Sequence, residues 1–204
     1  MIADILLNSW ASFSRVLIGG SLAVFLGIFL GFFRWILPEL LKKNFIVNII
    51  FDAPKFPPPI AWIPFVVVFL GIGDVSSLVI VIIGVLPSIF TQVYDGLNNI
   101  KPEILQTARS MQLTKVAMLR LILIPAILPQ LMTGLKIGFS MGWMSIIAAE
   151  MISGQSGLGY SIQINRLNLQ YTNMLFDMVA IGLIGYLMMC VLQLLERRLV
   201  RWAR

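Results

Sequence analysis

The chain has 204 residues, of which 59% are hydrophobic and 12% are charged, and its formal net charge is +6. Soluble domains carry about 25% charged residues, so this composition predicts a membrane protein. The sequence has no histidine and one cysteine, Cys190. An intrachain disulfide is therefore excluded, and the residue most often used as a general base is missing.

Five apolar stretches predict transmembrane helices, because a helix that spans a bilayer needs about 20 mostly apolar residues. They cover about residues 13–33, 60–70, 76–93, 128–151 and 173–195. The second stretch is short and lies between a proline run at 57–59 and a glycine-containing turn at 71–74. We therefore predict an all-α membrane protein in which residues 1–204 form a single domain.

Basic residues concentrate on one side of the predicted membrane. Four Lys or Arg lie in each of stretch 34–58, stretch 101–120 and the tail from residue 197 onward. The opposite side carries Arg15 and Arg166. Segments rich in Lys and Arg remain in the cytoplasm. This rule predicts an N-terminus outside, a C-terminus in the cytoplasm, and a cytoplasmic segment between the third and fourth spans.

That cytoplasmic segment, about 101–125, is amphipathic, unlike the apolar stretches around it. Pro102 and Glu103 suit the first turn of a helix, where proline loses no needed donor and an acid is favoured. Thr114 is a suitable N-cap for a second short helix, which leaves Gln112 in the turn. We predict a helix-turn-helix outside the membrane, at which the protein meets a partner.

Two charged residues lie in or near the fourth predicted span. Lys136 and Glu150 are about four helical turns apart, so Ser140 and Trp143 fall on or near the same face. A charge in a bilayer needs a partner, a wet cavity or a route to the headgroups. The four residues are therefore candidates for a translocation path. The alternatives are that Lys136 reaches the cytoplasmic headgroups and that Glu150 forms a structural pair, for example with Arg166.

Two further features concern how the spans pack. Arg15 and Asp177 could form an ion pair between the outer ends of the first and fifth spans. Small residues recur every four positions on two spans, a pattern that allows helix backbones to approach closely. They are Ala23, Gly27 and Gly31 on the first span and Gly134, Gly138 and Gly142 on the fourth.

The sequence lacks the G-x-x-x-x-G-K-[ST] phosphate-binding loop, so it does not predict that this chain holds ATP in the usual way. Without histidine, the usual nucleophile–base–acid set cannot be assembled either. Two alternatives to a subunit driven by a partner remain open. One is an autonomous channel or ion-coupled carrier that uses Lys136 and Glu150, and the other is a membrane scaffold subunit.

The segment from Lys101 to Pro129 resembles the cytoplasmic "EAA" loop of permease subunits in binding-protein-dependent ABC importers of the type I fold. In that loop, E-A-A is followed by a glycine and later by an I-x-L-P ending. Here the E-A-A positions hold Gln106, Thr107 and Ala108, the glycine position holds Gln112, and residues 123–125 occupy the ending. Three more stretches are similar to the nitrate/sulfonate/taurine branch of that family. They are PPIAWIP at 58–64 with GIGD at 71–74, Trp143 with AAEM at 148–151, and GLGY at 157–160.

This resemblance implies the permease subunit of an ATP-driven importer in the bacterial cytoplasmic (inner) membrane. Its solute would be a small one, such as the anions nitrate, bicarbonate, sulfonate or taurine. Its partners would be ABC ATPase subunits, which hold ATP and Mg²⁺, an extracytoplasmic solute-binding protein and a second permease copy in a homodimer. The chain itself would be no enzyme and would need no cofactor, metal or nucleic acid.

The resemblance also assigns the coupling contact, in which helix 103–111 sits in a groove of an ATPase. Leu105, Ala108 and Met111 would form the docking surface, with Arg109 and Lys115 at its rim. The full set of coupling residues is Glu103, Leu105, Gln106, Thr107, Ala108, Arg109, Met111 and Gln112.

The chain departs from the family pattern in two respects. The branch usually has a further N-terminal spanning helix, and this sequence starts just after that point. Gln106 and Gln112 replace the glutamate and the glycine of the loop. A residue other than glycine in a left-handed turn costs on the order of 1 kcal/mol, which predicts either a different turn here or a retuned coupling.

Overall fold

The computed structural model describes residues 2–42 and 44–200, and its regular elements are all helical, which confirms the predicted class. Short 3₁₀ turns precede α4, and a π-helical segment, Leu119–Leu123, leads into α8. The helices are α1 (Ile2–Ile36), α2 (Glu39–Lys42), α3 (Phe45–Asp52), α4 (Ile63–Leu70), α5 (Asp74–Asn98), α6 (Pro102–Ser110), α7 (Lys115–Met118), α8 (Ile124–Ser153), α9 (Leu158–Leu167) and α10 (Tyr171–Leu199).

Four helical segments among the described residues are long and apolar enough to cross a membrane. They correspond to the first, third, fourth and fifth predicted spans, and are Ala3–Ile36, Asp74–Asn98, Lys115–Ser153 and Tyr171–Leu199. The second predicted span is instead the short apolar segment Pro59–Leu70. Its 3₁₀ turn and eight-residue α4 rise only about 20 Å, less than the ~30 Å core of a bilayer. The count of five spans therefore stays a prediction.

Helix α5 packs between α1 and α8, and small residues let these helices approach closely. A Cβ atom added to Gly27 of α1 would lie 2.8 Å from Cβ of Ile89 on α5. A Cβ atom added to Gly142 of α8 would lie 2.6 Å from Cγ2 of Val85 on α5. Real Cβ atoms essentially never come this close to a neighbour, so the predicted role of the small residues in helix packing is confirmed.

Two arginines mark the ends of the bundle, which we term the Arg15 end and the Arg34 end. Arg34 is 7% exposed and donates hydrogen bonds to both carboxylate oxygens of Asp52, at 2.9 and 3.0 Å, and to Asn48 Oδ1 at 3.1 Å. These contacts fix α3 against the last turn of α1. The guanidinium also lies 4.4–5.7 Å from the ring centroids of Phe51, Phe90 and Tyr94.

Leucine in place of Gly27 should destabilise the protein, because its side chain cannot fit between α1 and α5. Overpacking of this kind costs about 1–3 kcal/mol. Gly182→Leu is the matched control, since a Cβ atom on Gly182 meets nothing within 4 Å. We expect a lower melting temperature in detergent for Gly27→Leu alone. Equal melting temperatures of the two variants would contradict the described packing.

The hydrogen bonds from Arg34 lower the pKa of Asp52 from its ordinary value of 3.8 to about 2. A carboxylate whose pKa is lower in the folded state stabilises the fold above its unfolded pKa, and this contribution is lost as the pH falls. We expect the melting temperature of Asp52→Asn to lie below that of the wild type above about pH 4. The gap should close as the pH falls towards 2, and a gap that does not depend on pH would contradict the lowered pKa.

Candidate functional site

At the Arg15 end, one arginine holds two acids from different helices. Arg15 Nη1 donates to Glu150 Oε1 of α8 at 2.8 Å, and Nε and Nη2 donate to Asp74 Oδ1 of α5 at 2.8 and 2.6 Å. Arg15 also donates to the carbonyl oxygen and the hydroxyl of Ser156, at 2.9 and 2.7 Å. This side chain therefore joins α1, α5, α8 and the loop between α8 and α9.

The carboxylate of Glu150 is buried at the beginning of α9, with the residue only 1% exposed. Its Oε2 accepts hydrogen bonds from Ser12 Oγ at 2.7 Å and from the backbone N–H of Gly159 at 3.1 Å. The backbone N–H of Leu158 in turn donates to Ser12 Oγ at 2.9 Å. A helix N-terminus favours negative charge, so α9 and Arg15 together compensate the buried carboxylate.

Glycines let the loop between α8 and α9 wrap closely around Glu150. A Cβ atom on Gly157 would overlap the Glu150 carboxylate, and Gly157 also has a φ of +110°, which L side chains rarely adopt. Cβ atoms on Gly154 and Gly159 would overlap the end of α8. The sequence predicts a role for Glu150 but not which groups surround its carboxylate. The glycines at 154, 157 and 159 were the signal that could have indicated them.

The four candidates for a translocation path have different partners. The ammonium group of Lys136 lies 3.0 Å from both carboxylate oxygens of Glu196 on α10, so it is paired with an acid. Trp143 Nε1 donates to the carbonyl oxygen of Ile181, also on α10, at 3.2 Å. Ser140 is half-buried. The structure therefore directs Lys136 and Trp143 towards α10, and Glu150 towards α1 and α9.

Two predicted ion pairs are wrong. Glu150 pairs with Arg15 and not with Arg166, because α1 passes beside the end of α8. Arg15 does not pair with Asp177, because Asp74 and Glu150 already bind it. Asp177 is 1% exposed, and its Oδ2 accepts hydrogen bonds from Ser161 and Asn165 of α9 at 2.7 and 2.8 Å.

The coupling residues predicted in α6 divide between two faces. Ala108 is 2% exposed and Leu105 packs against the main hydrophobic core, so these two face the protein. The side chain of Arg109 lies outside the described residues. The exposed members are Glu103, Gln106, Thr107, Met111 and Gln112.

The turn after α6 lies at the predicted residues. Gln112 adopts a φ of 51°, so the turn is left-handed although glutamine replaces glycine at this position. Thr114 Oγ1 accepts a hydrogen bond from the Ala117 N–H at 3.2 Å, which confirms it as the N-cap of α7. A helix-turn-helix is thus present, with Met111, 68% exposed, beside the turn. Its second helix is not the separate short helix that was predicted, because Lys115–Ser153 forms one continuous helical segment.

Residues 23–204 match a protein family described as the binding-protein-dependent transport system inner membrane component. The chain belongs to this family. It is accordingly a permease subunit of an ABC importer for small solutes, located in the inner membrane, and not itself an enzyme. A binding-protein-dependent permease implies an ATPase and a solute-binding protein as partners.

Similar permeases differ in the solutes for which they are named. The taurine transport system permease TauC of Escherichia coli is 28% identical over 94% of this chain and 69% of TauC. The putative aliphatic sulfonates permease SsuC of the same organism is 32% identical over 71% of this chain and 55% of SsuC. The nitrate import permease NrtB of Leptolyngbya laminosa is 26% identical over 93% of this chain and 67% of NrtB.

A solved structure has a similar fold. A chain of the MetNI methionine ABC transporter, in an inward-facing conformation, superposes with a TM-score of 0.79. The match covers 98% of this chain and 97% of that one, at 22% sequence identity. At this identity the likeness concerns the fold alone.

Glutamine in place of Glu150 should destabilise this permease strongly, because it leaves Arg15 partly buried without its buried partner. Removing one member of a buried pair costs about 3–5 kcal/mol. Asp74→Asn is the control, since the Asp74 side chain is 74% exposed and exposed pairs contribute about 0–1 kcal/mol. Melting temperatures in detergent should therefore fall much further for Glu150→Gln. Similar decreases in melting temperature in both variants would show that the burial of Glu150 does not determine its contribution to stability.

Proposed function

We propose that this permease carries a small solute with an oxyanion group, such as nitrate, bicarbonate, a sulfonate or taurine. The observation that carries the proposal is the chemistry common to the relatives, which are named for taurine, aliphatic sulfonates and nitrate. Arg15, Arg34 and Lys136 of the helical bundle are each paired with an acid. The choice of solute would therefore rest largely on the binding protein.

The proposed membrane topology has five crossings within a single permease domain, 1–204. Arg15 and Arg34 are 19 residues apart on α1, about 28 Å and close to the ~30 Å core of a bilayer. Lys55 binds Asp52 at the Arg34 end, whereas Asp74 binds Arg15. Residues 56–73 therefore run from one end to the other, which supports a fifth crossing of which only part is α-helical.

The charge distribution supports a topology with the Arg34 end and the C-terminus in the cytoplasm and the N-terminus outside. Helix α5 begins at the Arg15 end and reaches the Arg34 end, since Asp74 binds Arg15 and Tyr94 contacts Arg34. Helix α6, which follows α5, then lies on the cytoplasmic side. This arrangement supports α6 as the contact with the ATPase.

The two faces of α6 suit a coupling element. Gln106, Thr107 and Met111 on the exposed face would bind the ATPase, with Glu103 and Gln112 beside them. Leu105 and Ala108 on the inner face hold α6 against the hydrophobic core. Movement of the ATPase would thus be transmitted to the bundle. Each nucleotide state must bind one arrangement of the permease better, since only differential affinity shifts such an equilibrium.

The translocation path is proposed to run beside α8, which carries Lys136, Ser140, Trp143 and Glu150. Contacts of Lys136 and Trp143 hold α10 against α8, so displacement of α10 would open this side. A second copy of the permease would line the other side in a homodimer. The broad exposed apolar surfaces of α1 and α10 are compatible with that assembly.

Reconstitution with the partner ATPase and binding protein tests the function. Liposomes containing the complex should take up labelled taurine, a sulfonate or nitrate only with ATP and the binding protein. Liposomes with the permease alone should show no uptake. Uptake by the permease alone would instead support the channel or carrier alternative.

Aspartate in place of Met111 should uncouple the complex, because it places a charge on the apolar centre of the proposed ATPase contact. Val116→Asp is the matched control, since Val116 lies on α7 and is similarly exposed, at 71% against 68%. ATP hydrolysis should lose its stimulation by the loaded binding protein in Met111→Asp and keep it in Val116→Asp. Full stimulation of Met111→Asp would exclude this docking surface.

A further inference from the structure

Helix α3 has two faces of opposite character. One face carries Asn48 and Asp52, which bind Arg34, and Phe51, which stacks on Phe90 with ring centroids 5.5 Å apart. The other face is apolar and exposed. It consists of Phe45, Ile46, Ile49 and Ile50, whose exposed fractions range from 46% to 77%.

The apolar face of α3 is held in a fixed direction. The Asn44 side chain caps the helix by accepting a hydrogen bond from the Ile46 N–H at 2.9 Å. At the other end, Asp52 accepts hydrogen bonds from Arg34 and from Lys55, the latter at 2.7 Å. The exposed side chains thus belong to an ordered helix anchored at both ends.

The position of α3 places this face beside the membrane-spanning helices. Arg34, which binds α3, lies two residues before the end of α1. The last turns of α1 also expose Phe29, Phe33 and Ile36, so apolar surface is present on both helices at this end. An apolar face level with the end of a spanning helix meets the boundary between headgroups and acyl chains.

We propose that α3 lies in the cytoplasmic leaflet of the membrane at this boundary, with its apolar face in the acyl chains. The stretch 34–55 has four basic residues and two acids, so its net charge of +2 is compatible with anionic headgroups although Arg34, Lys42 and Lys55 are paired with acids. The inference rests on the proposed membrane orientation and not on the solute.

Spin labelling of the complete permease–ATPase complex in liposomes tests this location. Cys190→Ser removes the single native cysteine, and Ile50→Cys then carries the label. Glu39→Cys on α2 is the control, because the Glu39 side chain is charged and 76% exposed and is not part of the apolar face of α3. Ile46→Cys gives a second position on the apolar face.

The label at positions 50 and 46 should collide readily with oxygen, which concentrates among acyl chains, and poorly with a water-soluble nickel chelate. The oxygen-to-nickel ratio should be several-fold higher there than at position 39. Equal ratios at the three positions would overturn the inference. The inference would also be overturned if the labels were protected from both reagents and lost this protection when the ATPase was removed. That result would show that the ATPase, and not lipid, covers α3. ATP-driven uptake, measured on the same liposomes, tests the proposed function separately.

Discussion

The fold depends on one buried contact, in which Arg15 of α1 binds Glu150 at the end of α8. A buried carboxylate is costly unless charge and hydrogen bonds compensate it, and here Arg15, Ser12 and the N-terminus of α9 do so. The glycine-containing loop between α8 and α9 can take only the path that leaves room for that carboxylate. One ion pair therefore determines where four elements meet.

The two ends of α1 are held by similar chemistry but with different surroundings. At the Arg15 end, the arginine joins spanning helices and a loop. At the Arg34 end, the arginine lies among aromatic rings and fixes the short helix α3. Between them, glycines on α1 and α8 bring both helices close to α5. Polar contacts thus orient the ends of the bundle, and close packing fills its middle.

Most of the fold could be predicted from the sequence, because length and apolarity determine which segments span a membrane. The turn at Gln112, the cap at Thr114 and the packing role of Gly27 also followed from local patterns. The partners of Arg15 and Glu150 did not, because spacing along one helix does not say which helix lies opposite. The burial of Ala108 was not predicted for the same reason, since the sequence of α6 does not say which of its sides packs against the core.

Helix α10 is held in the bundle more by polar contacts, and less by close packing at glycines, than α1, α5 and α8 are. Its polar contacts to α8 and α9 are made by Asp177, the Ile181 carbonyl and Glu196. Helices α1, α5 and α8 pack closely at several glycines, whereas on α10 Gly185 lies close to Trp143 and Gly182 meets nothing within 4 Å. Because α10 follows the other long helices in the chain, it is synthesised after them. The tightly packed part of the bundle can therefore form in the membrane while α10 is still leaving the ribosome, and α10 then docks onto a surface that already exists.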